Sequence, residues 1–212
     1  MKVNCILLAA GNSTRYDGNK LLAQVDGKPM YRQLLDKVLL LSEELCDKIN
    51  RIILVTQYSE IIEETSSLPI TVIKNNYSEN GIAYSIELGV EAVRNDSPNT
   101  DDAYMFFVCD QPYLSVDTIK GLIEGYFQSS KGLGCVAFGK RLGNPAIFSS
   151  AYREDLLNLY GDTGGKRIIV DHMDDTFLYY AKEEKELMDI DTKAEREDDI
   201  EIRQIGVMRQ ND

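Results

Sequence analysis

At 212 residues with 43% hydrophobic content, the chain is long enough for one sizeable core and short for two independent domains. Its formal charge of -12 opposes general nucleic-acid binding, because a phosphate backbone needs a field of Lys and Arg, so any phosphate ligand has to meet a local basic cluster. No run approaches the roughly 20 apolar residues that span a bilayer; the short N-terminal apolar stretch runs into a polar glycine loop rather than a cleavage site, and Cys5, Cys46, Cys109 and Cys135 form no C-x-x-C pair. A reduced, cytoplasmic setting is expected, with no membrane and no nucleic acid as partner.

In chain order, short runs rich in Val, Ile and Phe alternate with segments of helical period, the pattern of βαβ units around a mostly parallel sheet. The first strand is expected near 4–9. It delivers Ala9, Ala10 and Gly11 to the carboxyl edge of the sheet, where open α/β folds bind ligands. Small residues there admit close backbone approach, and successive N–H groups can form an anion-binding concavity. Arg15, a planar fork, and Lys20, a point charge, add the positive field that the chain lacks overall. For the glycine alone, an ordinary strand-to-helix turn with two surface cations is the plainer reading. The string matches neither G-x-x-x-x-G-K-[ST] nor G-x-G-x-x-G, so P-loop hydrolysis and dinucleotide oxidoreduction lose their main support.

Further along, Met30 to Leu45 carries Leu34, Leu35, Val38, Leu39 and Leu41 at helical spacing, and Ile82 to Val93 does the same with Ile86, Leu88, Val90 and Val93. Strands are expected near 51–56 and 69–74 between these helices, and near 103–109 after them, where Met105-Phe106-Phe107-Val108-Cys109 ends on Asp110. Ser115 ahead of Val116-Asp117-Thr118-Ile119 predicts an N-cap with an acidic first turn and a helix to about Phe127. Strands near 133–138, 145–148 and 176–181 complete the set. The runs Lys182-Glu183-Glu184-Lys185-Glu186 and Glu195-Arg196-Glu197-Asp198-Asp199 read as solvated faces. One domain is expected over 1–195, with 196–212 as a polar tail. His172 reads as a packed or surface residue, and Cys109 as a buried small hydrophobe.

Leu8-Ala9-Ala10-Gly11-Asn12-Ser13-Thr14-Arg15, followed by Lys20, Leu21 and Leu22, resembles the signature loop of MobA-like nucleotidyltransferases, especially the branch that makes molybdenum cofactor dinucleotides. Later segments keep that family's order. Gly81 and Ser85 resemble its Gly-x-x-x-Ser segment, and Cys109-Asp110-Gln111-Pro112 its metal-binding strand end. Gly143-Asn144-Pro145-Ala146 and Gly161-Asp162-Thr163-Gly164-Gly165 resemble two acceptor-side loops, and Asp189-Ile190-Asp191-Thr192 a closing motif. The pattern is departed from at Gly165, where alanine is expected, and at Lys193, where proline is expected.

The resemblance implies a three-layer, Rossmann-like α/β nucleotidyltransferase fold, with a mostly parallel sheet and helices on both faces. It also implies a reaction in which a terminal phosphate of the acceptor attacks the α-phosphorus of a nucleoside triphosphate and expels pyrophosphate. Such a nucleophile is already anionic and needs no general base, which suits a chain with a single histidine. Positioning and charge neutralisation are then the whole of catalysis. Asp110 is the expected Mg2+ ligand, because hard oxygens on a rigid strand end suit that ion, and Asp189 or Asp191 supplies a second carboxylate or merely a cap. Arg15 and Lys20 would grip the phosphates; Leu8, Ala9, Ala10, Gly11, Asn12 and Ser13 would line the nucleotide, with Gly81 and Ser85 at the base or ribose; Gln111, Asn144 and Asp162 would face the acceptor. Cytidylyl-transferring members have Ala-Gly where guanylyl-transferring ones have two glycines, and here the pair is Ala10-Gly11, whose methyl narrows the pocket toward a pyrimidine. The expected partners are therefore CTP in preference to GTP, a molybdopterin acceptor carrying molybdenum, and a molybdoenzyme or its chaperone downstream. The alternatives are a GTP-using guanylyltransferase, a sugar-phosphate nucleotidyltransferase, and a regulatory nucleotide-binding module without turnover.

Overall fold

The structure, a computed structural model, describes residues 1–11, 19–96 and 101–190, with Asn95 and Asp96 as backbone only. In chain order these form β1 (Val3–Ala9), a small hairpin of β2 (Gln24–Val25) and β3 (Lys28–Pro29), α1 (Met30–Glu44), β4 (Ile49–Thr56), α2 (Ser59–Thr65), β5 (Thr71–Lys74) and α3 (Ile82–Asp96). There follow β6 (Ala103–Val108), α4 (Val116–Ser129), β7 (Leu133–Phe138), β8 (Arg141–Phe148), α5 (Arg153–Leu157), α6 (Lys166–Asp171) and β9 (Thr176–Tyr180). Leaving the hairpin aside, the strands join in one sheet of order β5-β4-β1-β6-β8-β7-β9.

The alternation of side chains along β1 explains the layers. Val3, Cys5, Leu7 and Ala9 pack into a cluster with Leu34, Leu35 and Val38 of α1 and Ile119, Leu122 and Ile123 of α4. Ile6 and Leu8 pack on the opposite face, with Ile86, Val90 and Val93 of α3, Leu156 of α5 and Ile168 and Ile169 of α6. A strand buried on both faces reads as a continuous apolar run, as β1 does, and needs helices on both sides to cover it. β4 and β6 flank β1 in parallel, so the carboxyl ends of all three open onto one edge of the sheet. This is the α/β fold expected.

Two readings need correction. β8 begins at Arg141, four residues before the expected start, and is antiparallel to both neighbours. Gly139 at φ +56 and Lys140 close a tight hairpin from β7, and a register shift between Cys135 and Ala137 absorbs the Gly143-Asn144-Pro145 stretch that resembles a loop. The second correction concerns Glu186. Lys182 to Lys185 are exposed as expected, but Glu186 is buried, its carboxylate accepting the Ser115 N–H at 3.0 Å at the start of α4. Ser115 itself caps α4, its Oγ accepting the Thr118 N–H at 3.1 Å. Among the described residues, no helix is long and apolar enough to cross a membrane.

Candidate active site

The glycine loop is held from behind by the end of β4. Thr56 Oγ1 donates to the Ala9 carbonyl at 2.9 Å, Gln57 Nε2 to the Ala10 carbonyl at 2.9 Å and Tyr58 Oη to the Gly11 carbonyl at 2.7 Å. In a planar trans peptide the carbonyl of one residue and the N–H of the next point opposite ways. Turning the Ala9 and Ala10 carbonyls toward β4 therefore turns the N–H groups of Ala10 and Gly11 away from it, as an anion-binding loop requires. Gly11 is exposed, and a Cβ built on it meets no described atom within 4 Å, so the described residues leave room for a ligand there.

Ala10 and Gly11 line a cavity of about 490 Å³ together with Leu8, Lys20, Ser85 and Asp110. Lys20 Nζ stands 2.8 Å from Asp110 Oδ2. The other carboxylate oxygen, Asp110 Oδ1, is buried without a hydrogen-bond partner among the described residues. A buried, unpaired carboxylate oxygen is costly unless a cation or donor meets it. Asp110 thus fits a divalent cation that takes one or two protein carboxylates and completes its shell with phosphate oxygens and water. No group of three or more His, Cys, Asp or Glu forms a cage among the described residues.

The far wall of this cavity is the head of α3. Gly81 has φ +83, and a Cβ there would fall 2.3 Å from the Gly161 carbonyl oxygen, so the loop carrying Asp162 lies directly on it. The Ala83 N–H donates to that same carbonyl at 3.0 Å. Asp162, expected on the acceptor side, in fact lines the cavity that holds the glycine loop. Ser85 is 5% exposed, and its Oγ accepts from Asn75 Nδ2 at 3.0 Å.

A second cavity, of about 210 Å³, lies beside the first and is lined by Gln111, Arg141, Gly143, Asn144, Lys166 and Asp189 among others. Its roof is the segment after β9. Gln111 Nε2 donates to Asp189 Oδ1 at 2.7 Å, Arg141 Nη2 to the Leu187 carbonyl at 2.8 Å, and the Ile190 N–H to the Asp110 carbonyl at 3.0 Å. Gly143 admits this roof, since a Cβ on it would fall 2.2 Å from Leu187 Cδ2. From below, Lys37 Nζ holds the carbonyls of Pro112 and Leu114 at 2.6 and 2.9 Å. Burial lowers the Lys37 pKa, and the charges of Glu186 and Asp26 act against that fall.

The structure brings Leu8, Ala10, Gly11, Lys20, Gly81, Ser85, Asp110 and Asp162 to one cavity, and Gln111, Asn144 and Asp189 to the next. Ala9 is fully buried behind the loop and lines neither. Asn12, Ser13, Arg15 and Asp191 lie outside the described residues. Sequence reasoning missed Thr56-Gln57-Tyr58, Asn75, Arg141 and Lys166. Of these, the two cations beside the acceptor-type loops carried a readable signal in their charge; the others act through contacts far apart in sequence. The Gly165 departure has a steric origin, since a Cβ there would fall 2.6 Å from Phe148 Cζ. Cys109 is buried, as expected of a small hydrophobe, and burial, then the Asp110 charge, push its thiol above the ordinary range.

The family model described as the MobA-like NTP transferase domain matches residues 5–176. No curated protein matches the chain. Among solved structures, a nucleotidyl transferase from Methanothermobacter superposes with a TM-score of 0.75 at 19% identity, over 98% of this chain and 99% of its own. Rv0371c from Mycobacterium tuberculosis H37Rv does so with a TM-score of 0.74 at 18% identity, over 95% and 99%. A complex of Rv0371C with manganese is similar at a TM-score of 0.67 and 16% identity, over 85% of this chain and 89% of that one. At such identities the likeness is one of fold.

Proposed function

We propose that this chain, which belongs to the MobA-like NTP transferase family, transfers CMP from CTP to the terminal phosphate of molybdopterin carrying molybdenum and releases pyrophosphate. The observation that carries the reading is the division of the β6 end: Asp110 faces the cavity with the glycine loop, and the next residue, Gln111, faces the second. A donor chamber and an acceptor chamber thus meet at one strand end, as transfer between two bound substrates requires.

In this reading the triphosphate lies against the N–H groups of Ala10 and Gly11, with Lys20 and Arg15 on its outer phosphates and Asn12 and Ser13 along the same loop. Gly81 and Ser85 meet the base or ribose. A magnesium ion, held by Asp110 with Asp189 or Asp191 as the second carboxylate, supplies charge neutralisation at the phosphates when bound; the manganese complex of Rv0371C supports a divalent ion. An acceptor phosphate oxygen forms a bond to the α-phosphorus, the bond from the α-phosphorus to the bridging oxygen breaks, and the electron pair leaves with pyrophosphate. Gln111 and Asn144 orient the acceptor, and Arg141 and Lys166 give its chamber positive charge. Asp162 belongs to the donor side. Residues 1–195 form the transferring unit.

Acceptor competition tests the reading. Pyrophosphate release from CTP is expected with the molybdenum-carrying acceptor and to be far slower with GTP. Release with a sugar phosphate instead would assign the second chamber to sugars, and nucleotide binding without release under any acceptor would make the protein a regulatory module.

A further inference from the structure

A chain of hydrogen bonds sets which bond the Ser85 hydroxyl makes within the protein and leaves its hydrogen for a ligand. The backbone N–H of Tyr77 can only donate, and it meets Asn75 Oδ1 at 2.9 Å. The other amide atom of Asn75 is therefore the NH2 group, which in turn only donates, and it lies 3.0 Å from Ser85 Oγ. Ser85 Oγ is thus the acceptor in that bond, and its own hydrogen has to point elsewhere. No described residue accepts it: Asn75 is the one hydrogen-bond partner of Ser85 among the described residues. Ser85 is 5% exposed and lines the 490 Å³ cavity at the head of α3. Asn75 is 1% exposed and pinned by its backbone N–H to the Thr56 carbonyl at 2.8 Å, so the relay is rigid.

We propose that Asn75 is a positioning residue that turns the Ser85 hydroxyl hydrogen toward the nucleotide cavity, so that the site favours a base presenting an acceptor at ring position 3, cytosine, over one presenting a donor there, uracil. The inference rests on the nucleotide reading of that cavity. Ala10 bears on size and so on pyrimidine against purine, whereas cytosine and uracil have nearly the same size. They differ at position 4, an amino group in cytosine and a carbonyl in uracil, and at N3, an acceptor lone pair in cytosine and an N–H in uracil. Against an N–H the Ser85 hydroxyl can offer only its second lone pair, which leaves its own hydrogen without an acceptor among the described residues, whereas against the N3 lone pair every group is paired.

Calorimetric binding of CTP and of UTP to the full chain, each with magnesium, tests this. The wild type is expected to bind CTP at least about tenfold tighter than UTP. Asn75→Asp keeps an acceptor for the Tyr77 N–H but accepts from Ser85 as well, which turns the Ser85 lone pairs to the base. Its ratio should fall to within about threefold or reverse, with CTP weakened and UTP strengthened. A merely structural Asn75 would weaken both nucleotides alike. Ser85→Ala should erase the preference, and adding Asn75→Asp to it should change nothing further. A folded Asn75→Asp chain that keeps the wild-type ratio overturns the proposal; if that variant does not fold, an undiminished ratio in Ser85→Ala does. A wild type that binds both nucleotides equally overturns this inference alone. One that binds neither overturns the reading of the cavity and the inference with it.

Discussion

Gly11 and Asp110 are the residues at which the site departs most from ordinary packing. Nothing described lies within 4 Å of a Cβ on Gly11, so Gly11→Ala is expected to melt like the wild type yet bind CTP about tenfold or more weakly, because the methyl occupies the approach to the loop. Thermal melting alongside a nucleotide titration checks this, and unchanged affinity would remove the loop from the site. The cysteines give a second prediction at this scale. Cys46 is exposed and Cys5, Cys109 and Cys135 are buried, with burial raising Cys5 and Cys135 to about 12. A thiol reagent at neutral pH should label one thiol quickly in the folded chain and all four after denaturation; rapid labelling of a second would contradict the burial. Lys20, Asp110 and the glycine loop were legible in the sequence because charge and small residues at a strand end carry their own signal. Asn75 was not, since its role exists only through Tyr77 and Ser85, and neither contact leaves a local pattern.

The segment from Glu184 to Ile190 shows what charge pattern alone conceals at the level of an element. Four of its neighbouring charges are solvated, but Glu186 faces inward and ties this roof to the start of α4, while Leu187 and Asp189 engage Arg141 and Gln111. Burial pulls the Glu186 carboxyl upward, yet hydrogen bonds from Ser115 and Thr118 outweigh it and hold it below the usual glutamate range. Because the folded value is depressed, Glu186 stabilises the fold above the ordinary glutamate pKa, and that contribution disappears as pH falls through the folded value. Glu186→Gln should therefore melt lower than the wild type at neutral pH, with the gap closing in acid below about pH 4.5. Melting curves across pH 3 to 7 decide it, and a gap independent of pH would point to packing alone. The N-cap at Ser115 was visible in sequence because capping is local; its second partner, 71 residues away, was not.

Across the whole molecule, the periodicity of apolar residues sufficed for the core strands and the long helices, since β1, β4 and β6 are buried runs and α1, α3 and α4 each carry one apolar stripe. It did not reach α2, α5 and α6, which are too short to display a helical period, nor the antiparallel insertion of β8, which is set by a two-residue turn and a register shift rather than by composition. The site follows from that topology: a parallel core presents the ends of β1, β4 and β6 together, and the roof after β9 closes over them. The most direct test is pyrophosphate release from CTP and the molybdenum-carrying acceptor by the wild type and by Asp110→Ala. The expected result is magnesium-dependent release by the wild type and a loss of roughly 100-fold or more in a variant that still folds; turnover undiminished in Asp110→Ala would contradict a transfer centred on the end of β6.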